Sequence, residues 1–444
     1  MNNEVLECDF LVIGAGMAGL SAAGWAAERG ARVVVVEKSG AVGGSAVLSG
    51  GVLWTAASPQ KMALYGGGDP PLGRVICERY PDAVAWLRKR GIHVSQTMEV
   101  LHGYGYQIDI VDHLRGCVDL VEKGGGHVVL DTTTTLLLKD GDGRVSGART
   151  MHADGELDIH ARHTLLATGG FQASEEMRAR LIHPNAGAML LRSNPHSTGD
   201  GLNLGQAAGG QVRGTNRGFY GHLVSRPNAW GEERYFTMLS QYHSDHALLF
   251  NEAGRRFCDE TFGDHTNTCH TVAQANARAI CLWDARVQAD HATKPIVAIA
   301  APMDKFAVAI ENGGEGVVAR THEELATFAN AHGFKGAEML RSLSDYDHGA
   351  RNGWEALDPP RTESCLPMDR PPWYALIVYP AITFTFGGLT IDERARVLDG
   401  DGTVIPGLLA AGSDAGDAFG VGYAGGLALA MTFGMTAAQT AGWN

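Results

Sequence analysis

The chain starts on mixed acidic and apolar positions and then turns fully apolar. Asp9 is followed by Phe10-Leu11-Val12-Ile13, a run of strand length. Beyond a glycine cluster, Met17 to Arg29 is alanine-rich and helical in character, with Gly30 as its stop. Arg32–Glu37 encloses a row of valines and closes on an acid, which reads as a second strand. Much further on, His322–Leu343 has helical apolar spacing, and Asp345–Pro372 reads as loop with several prolines. The longest apolar stretches, such as Val33–Val36 and Leu427–Phe433, fall far short of the ~18 residues a membrane helix needs. The segment from Met1 to Phe10 is acidic and enters a strand directly, so it is not read as a signal peptide. No internal repeat or low-complexity tract stands out.

Composition narrows the partners. The 444 residues suggest two or three compact units, and 45% hydrophobic with 19% charged residues is a globular balance. Lys plus Arg number 36 against 49 acids, a formal net charge of −13. A bulk-acidic protein does not attract phosphate backbones or anionic lipid, so nucleic acid and membrane surfaces are poor partners. The seven cysteines (Cys8, Cys77, Cys117, Cys258, Cys269, Cys281 and Cys365) form no CxxC pair. They suggest neither a disulfide framework nor a zinc finger, and a reducing cytoplasm is the natural location. Glycine is the outlier, at 59 residues gathered in clusters, as expected where backbone approaches a ligand closely.

The first cluster, Gly14-Ala15-Gly16-Met17-Ala18-Gly19, is a GxGxxG set between the first strand and the helix. Gly14 permits the tight turn, Gly16 lets backbone reach a pyrophosphate, and Gly19 lets helix and strand pack closely. The helix N-terminus offers N–H groups to the phosphate. Glu37, ending the second strand, is placed for a ribose hydroxyl. A lone GxGxxG is weak, but the flanking strands and the acid make this a dinucleotide site. A second loop, Gly43-Gly44-Ser45-Ala46-Val47-Leu48-Ser49-Gly50-Gly51, follows at once. It can hold the far side of a pyrophosphate and run under an isoalloxazine ring, which favours FAD over NAD.

With these loops the sequence resembles the fumarate reductase/succinate dehydrogenase flavoprotein family, which also contains the 3-ketosteroid dehydrogenases. Further segments match in order: Leu165-Leu166-Ala167-Thr168-Gly169-Gly170, Thr198-Gly199-Asp200-Gly201, and NEAGRRFCDE from Asn251 to Glu260. Phe386-Gly387-Gly388 through Asp392, Ile405-Pro406-Gly407-Leu408 and Ala410-Ala411-Gly412 complete the set. The resemblance implies an α/β fold: a discontinuous Rossmann-like FAD-binding domain, 1–224 and 374–444, with an inserted α+β capping domain, 225–373. Substrate is then expected between cap and flavin. Implied FAD contacts are Gly14, Gly16, Ala18, Gly19, Glu37, Lys38, Gly43, Gly44, Ser45, Ser49, Gly50 and Gly51 in the first two loops. Ala167, Thr168, Gly169, Thr198, Asp200, Gly412, Ser413, Asp414, Gly426, Leu427 and Ala428 complete them. Relatives often place a glutamate against the flavin ribityl where this chain has Ser413, then Asp414; a short polar side chain serves the same hydroxyls. Relatives that attach FAD covalently use a histidine near the second loop. Residues Ser39 to Ala57 contain none, so the FAD is expected to be non-covalent.

Dicarboxylate reductases of this family hold substrate with cations, and this chain has Tyr423, Phe384 and Asp264 at those positions. Two carboxylates need the paired donors of arginine, so fumarate and succinate are poor candidates. Tyr423-Ala424-Gly425-Gly426-Leu427-Ala428-Leu429 is similar to a segment of 4-ene-forming ketosteroid dehydrogenases. The 1-ene-forming type has its tyrosine where this chain has Val421. The resemblance therefore implies desaturation beside the carbonyl of a cyclic ketone, a steroid or a smaller ring such as an oxocyclohexane carboxylate. The β hydride would pass to flavin N5 and then to an external acceptor: oxygen, a quinone or an electron-transfer protein. The Tyr423 hydroxyl and the backbone at Gly425 and Gly426 would hold the ketone oxygen, although Tyr423 also fits simple packing beside the flavin. Asp264 and His265 share the family's proton-transfer position as candidate bases, against readings as a solvated acid and a cap residue. Tyr104 and Tyr106 form an aromatic patch suited equally to pocket or core. Arg255 and Arg256 are read as holding their own loop. His243, His246, His265 and His270 match no usual metal-ligand spacing, and no metal is expected. The alternative is a reductase of an activated alkene; the lack of a CxxCH haem motif or FMN-type appendage favours the dehydrogenase.

Overall fold

A computed structural model describes residues 4–227, 230–231, 234–295, 301–353, 357–420 and 422–444. Val421 lies outside the described residues. The chain folds as two compact units: Met1–Met177 with Ser193–Phe219 and Phe384–Asn444, and Arg178–Arg192 with Tyr220–Thr383.

The first unit is built on strand β1 (Glu4–Ile13), helix α1 (Met17–Glu28) and strand β2 (Val33–Val36). β1 pairs in parallel with β2, Phe10 opposite Val33 through Ile13 opposite Val36, and on its other edge with strand Gly155–Leu166. Among the described residues this sheet has eight strands, with Val404–Ala410 and His127–Val129 as further parallel neighbours. A parallel strand covered on both faces has no solvent side, which is why Phe10–Ile13 and the valines of β2 are apolar without alternation and buried. Helix α1 is likewise buried at every position from Met17 to Ala27. Its small residues have a packing cause. It lies along helix Gly426–Thr440, where a Cβ on Gly434 would stand 2.4 Å from the Ala18 carbonyl oxygen.

The second unit is α+β. Strand Trp373–Thr385 is central, antiparallel to Ala279–Asp284 and Gly316–Ala319, with Phe219–Val224 also paired to it. Its core gathers Phe250, Ile280, Leu282, Trp283 and Ile377. The apolar stretch His322–Leu343 forms two helices, His322–Ala331 and Gly336–Asn352. The first begins on a capping box between Thr321 and Glu324, and Gly333, at φ +83°, turns the chain between them. The second runs on through Asp345 to Asn352, so the loop expected from Asp345 starts later. Arg256 lies on the fully buried Glu260, donating from Nη2 at 2.6 Å, and Arg361 donates to the same carboxylate at 3.1 Å. Arg256 also donates to the carbonyls of Cys258 and Pro359, tying its loop together; Arg255 is exposed.

Candidate functional site

In the first unit the two glycine loops meet. The Gly43 N–H donates to the Ala15 carbonyl at 2.8 Å. A Cβ placed on Gly44 would stand 3.5 Å from Gly16 Cα. Gly16 is the N-cap of α1, no side chain caps that end, and its first turn holds no acid, so its N–H groups suit an anion. Glu37 is buried. It accepts the Ala15 N–H at 2.8 Å and the Ser39 N–H and hydroxyl at 2.9 Å each. A carboxylate offers about four acceptor sites, so its orientation is fixed with capacity left for a ribose hydroxyl. A cavity of about 440 Å³ is lined by Ala41, Val42, Val47, Leu114, Val118 and Val128, with Arg115 and Glu122 also on its wall. That lining suits a flat heteroaromatic ring. A donor-rich helix end, an anchored acid and an apolar slot fit FAD, which Gly14–Gly19, Glu37 and Gly43–Gly51 would hold.

Several implied contacts are bonded to one another. Lys38 Nζ donates to Thr198 Oγ1 at 2.6 Å and Asp200 Oδ2 at 2.7 Å, clamping the TGDG turn that starts helix Asp200–Ala207. Asp414 accepts the Thr168 N–H at 2.5 Å, the Thr168 hydroxyl at 3.1 Å and the Gly170 N–H at 3.2 Å. Burial pushes its carboxyl up to about 6, against the pull of those donors. These bonds set the Ala167–Gly170 turn, with Gly169 at φ +99° and Ser413 beside Gly170. Ser45 bonds Ser193 at 2.9 Å, while Ser49 donates to the Ala46 carbonyl at 2.7 Å and accepts from Gly51. Gly50 has open space around it, and Gly412 lies against Ala18.

Tyr423 stands at the start of helix Gly426–Thr440, whose first turn includes Leu427 and Ala428. Its hydroxyl accepts the Gly426 N–H at 3.0 Å. The rings of Trp54, Phe384 and Phe419 meet it edge-on, with centroids at 5.4, 5.9 and 5.8 Å. A side chain at Gly426 would meet the Phe384 ring at 2.9 Å, and one at Gly425 would lie 1.8 Å from the Trp54 carbonyl oxygen. Tyr104 packs edge-on against Tyr80 at 5.4 Å, and Tyr106 lies 6.4 Å from it.

In the second unit Asp264 begins helix Asp264–Val272 and is buried. It accepts the Leu223 N–H at 3.1 Å and pairs with His222 Nδ1; the other ring nitrogen, Nε2, lies 3.0 Å from the Tyr220 hydroxyl. His265 lies beside the same tyrosine, ring centroids 5.8 Å apart. Sequence reasoning missed Tyr220 and His222. Their signal was a two-residue spacing on strand Phe219–Val224, which puts both on one face. His243 packs against Trp283 and His246 stacks on His291. Among the described residues no group of three or more His, Cys, Asp or Glu is arranged to hold a metal. None of their helices is long and apolar enough to cross a membrane.

The chain is 27% identical to fumarate reductase (cytochrome) of Shewanella frigidimarina, over 98% of this chain and 76% of that protein. It is 25% identical to 4-oxocyclohexanecarboxylate 2-dehydrogenase of Sinomonas cyclohexanicum, over 97% and 92%. It shares the fold of 3-ketosteroid delta1-dehydrogenase from Sterolibacterium denitrificans at TM-score 0.78 and 18% identity, covering 98% and 99%. A family model described as FAD binding domain matches residues 9–428. The chain belongs to that family, as an FAD-dependent oxidoreductase of the fumarate reductase and succinate dehydrogenase type.

Proposed function

We propose that the protein desaturates a cyclic ketone, placing a C=C bond beside the carbonyl. The observation that carries this is the Tyr423 hydroxyl, which accepts the Gly426 N–H at the head of a helix, among aromatic rings. A phenol that accepts an N–H still has a hydrogen to donate, and the incoming bond polarises it toward donation. The positive end of helix Gly426–Thr440 favours negative charge developing nearby. A ketone oxygen that takes this bond gains most as its enolate forms; one such donor contributes on the order of 10²–10³ in rate. FAD, when bound, supplies the two-electron acceptor. Among its ring contacts, Trp54, Phe384 and Phe419, none brings the paired cations that a dicarboxylate needs. The relative from Sinomonas cyclohexanicum is named for a cyclic oxo acid, which supports the reading.

The similarity to a fumarate reductase favours a second reading, the reduction of an activated alkene. Anaerobic mixing separates the two. The oxidised enzyme should lose its yellow colour with a member of a ketone panel (4-oxocyclohexanecarboxylate, cyclohexanone, a 3-ketosteroid), and turnover should continue with an artificial acceptor. Rapid bleaching by succinate, with none by any ketone, would overturn the proposal.

A further inference from the structure

Arg192 follows strand Leu190–Leu191, which lies parallel to Trp373–Thr385, and its backbone N–H donates to the Ile382 carbonyl at 2.8 Å. Its guanidinium spreads over three segments. Nε donates to the Phe236 carbonyl at 2.7 Å, Nη1 to Thr383 Oγ1 at 3.0 Å and Nη2 to the Tyr242 hydroxyl at 3.3 Å. Lys305, on helix Lys305–Glu311, donates from Nζ to the carbonyls of Thr237 at 2.7 Å and Met238 at 3.1 Å. Its charge lies 5.3 Å from the centre of the Tyr242 ring, so the one phenol is within reach of both cations. All of these residues belong to the second unit.

Every hydrogen-bond partner of the two cations is neutral. Among the described residues neither forms an ion pair, although Lys305 is buried and Arg192 half-buried. Carbonyls and hydroxyls satisfy donors but cancel no charge, and a charge out of water without a counter-charge is costly. The nearby acid does not fill the gap. Burial pushes the Asp264 carboxyl up to about 8 despite the Leu223 N–H and the Arg192 charge, so near neutral pH it is protonated. Burial also keeps His222 and His243 neutral, the first well below the usual histidine range and the second at about 3, with the Lys305 charge adding to both. Lys305 is itself lowered to about 8 by burial and by Arg192. Near neutral pH the group therefore carries two positive charges, on Arg192 and Lys305, and no negative one.

The unused donors indicate the ligand. A guanidinium has five N–H groups and an ammonium three. The bonds above use three and two of them, which leaves one N–H on each terminal guanidinium nitrogen and one on Lys305. The Tyr242 hydroxyl accepts from Arg192 and keeps its own hydrogen to donate. An ionised carboxylate offers about four acceptor sites in one plane, a match for these hydrogens, whereas a phosphate has more oxygens than they can serve. We propose that Arg192, Tyr242 and Lys305 form a binding site for the carboxylate of a small organic acid, the guanidinium and the phenol holding its oxygens and Lys305 supplying the second charge. The half-buried guanidinium and phenol give the site its open edge. The site lies wholly within the second unit and stands apart from the ketone reading, because no reaction step enters it.

The test is calorimetric titration of the FAD-loaded protein with cyclohexanecarboxylate near neutral pH, with cyclohexanecarboxamide as the uncharged control of the same shape. Neither compound is a ketone, so the result is independent of the proposed reaction. The acid should bind at least about tenfold more tightly than the amide. Tyr242→Phe keeps the ring and removes one charge-assisted bond; it should lose roughly tenfold in acid affinity and leave the amide unchanged. Lys305→Met should lose a similar factor through its charge. Arg192→Gln should lose on the order of 10². Arg192 also ties three segments together, so if that variant fails to fold, Tyr242→Phe, which breaks no backbone bond, carries the test. Raising the pH through about 8 should weaken acid binding and spare the amide, because Lys305 loses its charge and Asp264 gains one, both against an anion. A wild type that binds neither compound, or both within threefold of each other, would overturn the proposal. So would folded Tyr242→Phe and Lys305→Met proteins that each bind the acid within twofold of wild type. Inorganic phosphate binding more tightly than the acid would overturn the carboxylate assignment.

Discussion

Replacing Gly16 by alanine separates what the first glycine loop does for the fold from what it does for the cofactor. Gly16 sits at φ −85° and ψ −167°, a conformation any residue adopts, and an added Cβ meets nothing nearer than the Gly43 carbonyl oxygen at 3.9 Å. Alanine at an N-cap costs about 1 kcal/mol. The lost chain entropy of the unfolded state returns about 0.4–1 kcal/mol, so folding stability should change by less than about 0.5 kcal/mol. Gly14 is the opposite case. Its φ is +105°, and a Cβ would lie 2.3 Å from the Ala167 carbonyl oxygen. β1 and strand Gly155–Leu166 are paired as far as Ile13 opposite Leu166, so neither backbone can retreat. Overpacking and the disfavoured φ together should cost Gly14→Ala roughly 2–5 kcal/mol. For FAD the Gly16 methyl stands where backbone should approach the pyrophosphate. Loss of one or two charge-assisted bonds, about 3 kcal/mol in all, corresponds to on the order of 10² in affinity. Thermal melts of FAD-depleted protein and calorimetric titration with FAD measure the two effects. Gly16→Ala binding FAD within threefold of wild type would refute the assigned approach.

Acid precipitation should release the flavin into the supernatant, because Ser39 to Ala57 hold no histidine to bond it; a yellow pellet would contradict this. Tyr423→Phe keeps the ring contacts and should slow flavin reduction by ketone on the order of 10²–10³ at unchanged FAD content, with a loss below threefold in stopped-flow counting against the donor role. The same change strands the Gly426 N–H, which should lower stability by about 1 kcal/mol in urea unfolding. Glu260→Gln leaves the buried Arg256 and Arg361 without their counter-charge and should cost about 3–5 kcal/mol by the same assay. A loss under about 1 kcal/mol would mean that the arginines find other partners.

The cofactor side was legible because its signals are local. GxGxxG needs only the strand before it, the helix behind it and an acid a short way on, all inside Phe10–Glu37. The surroundings of Asp264 were not, since Tyr220 and His222, which bond in series with it, come from a segment about forty residues earlier. Nothing in the spacing around Asp264 announces the partner behind which it is buried. Asp414 shows the same limit over a longer span. Its place in sequence gave no sign that its oxygens take the donors of the Thr168–Gly170 turn. The helical stretch His322–Leu343 reads as continuous because the apolar spacing resumes in phase after Gly333; a left-handed turn leaves almost no mark on periodicity.

The rings that meet Tyr423 bear on the proposed chemistry more than the fold does. A dicarboxylate brings two charges whose desolvation must be repaid by cations, and rings meeting at 5.4–5.9 Å repay none of it. A ketone brings one dipole and becomes anionic only as its α proton leaves. A single phenol, polarised by a backbone N–H at a helix head, matches that demand: it costs little before the reaction and gains as charge develops. A lone phenol also cannot supply the second fixed anchor that a diacid uses to set its reacting carbons. On the proposed reading, one fold carries a diacid or a cyclic ketone, and the choice between them rests on whether these positions hold cations or rings.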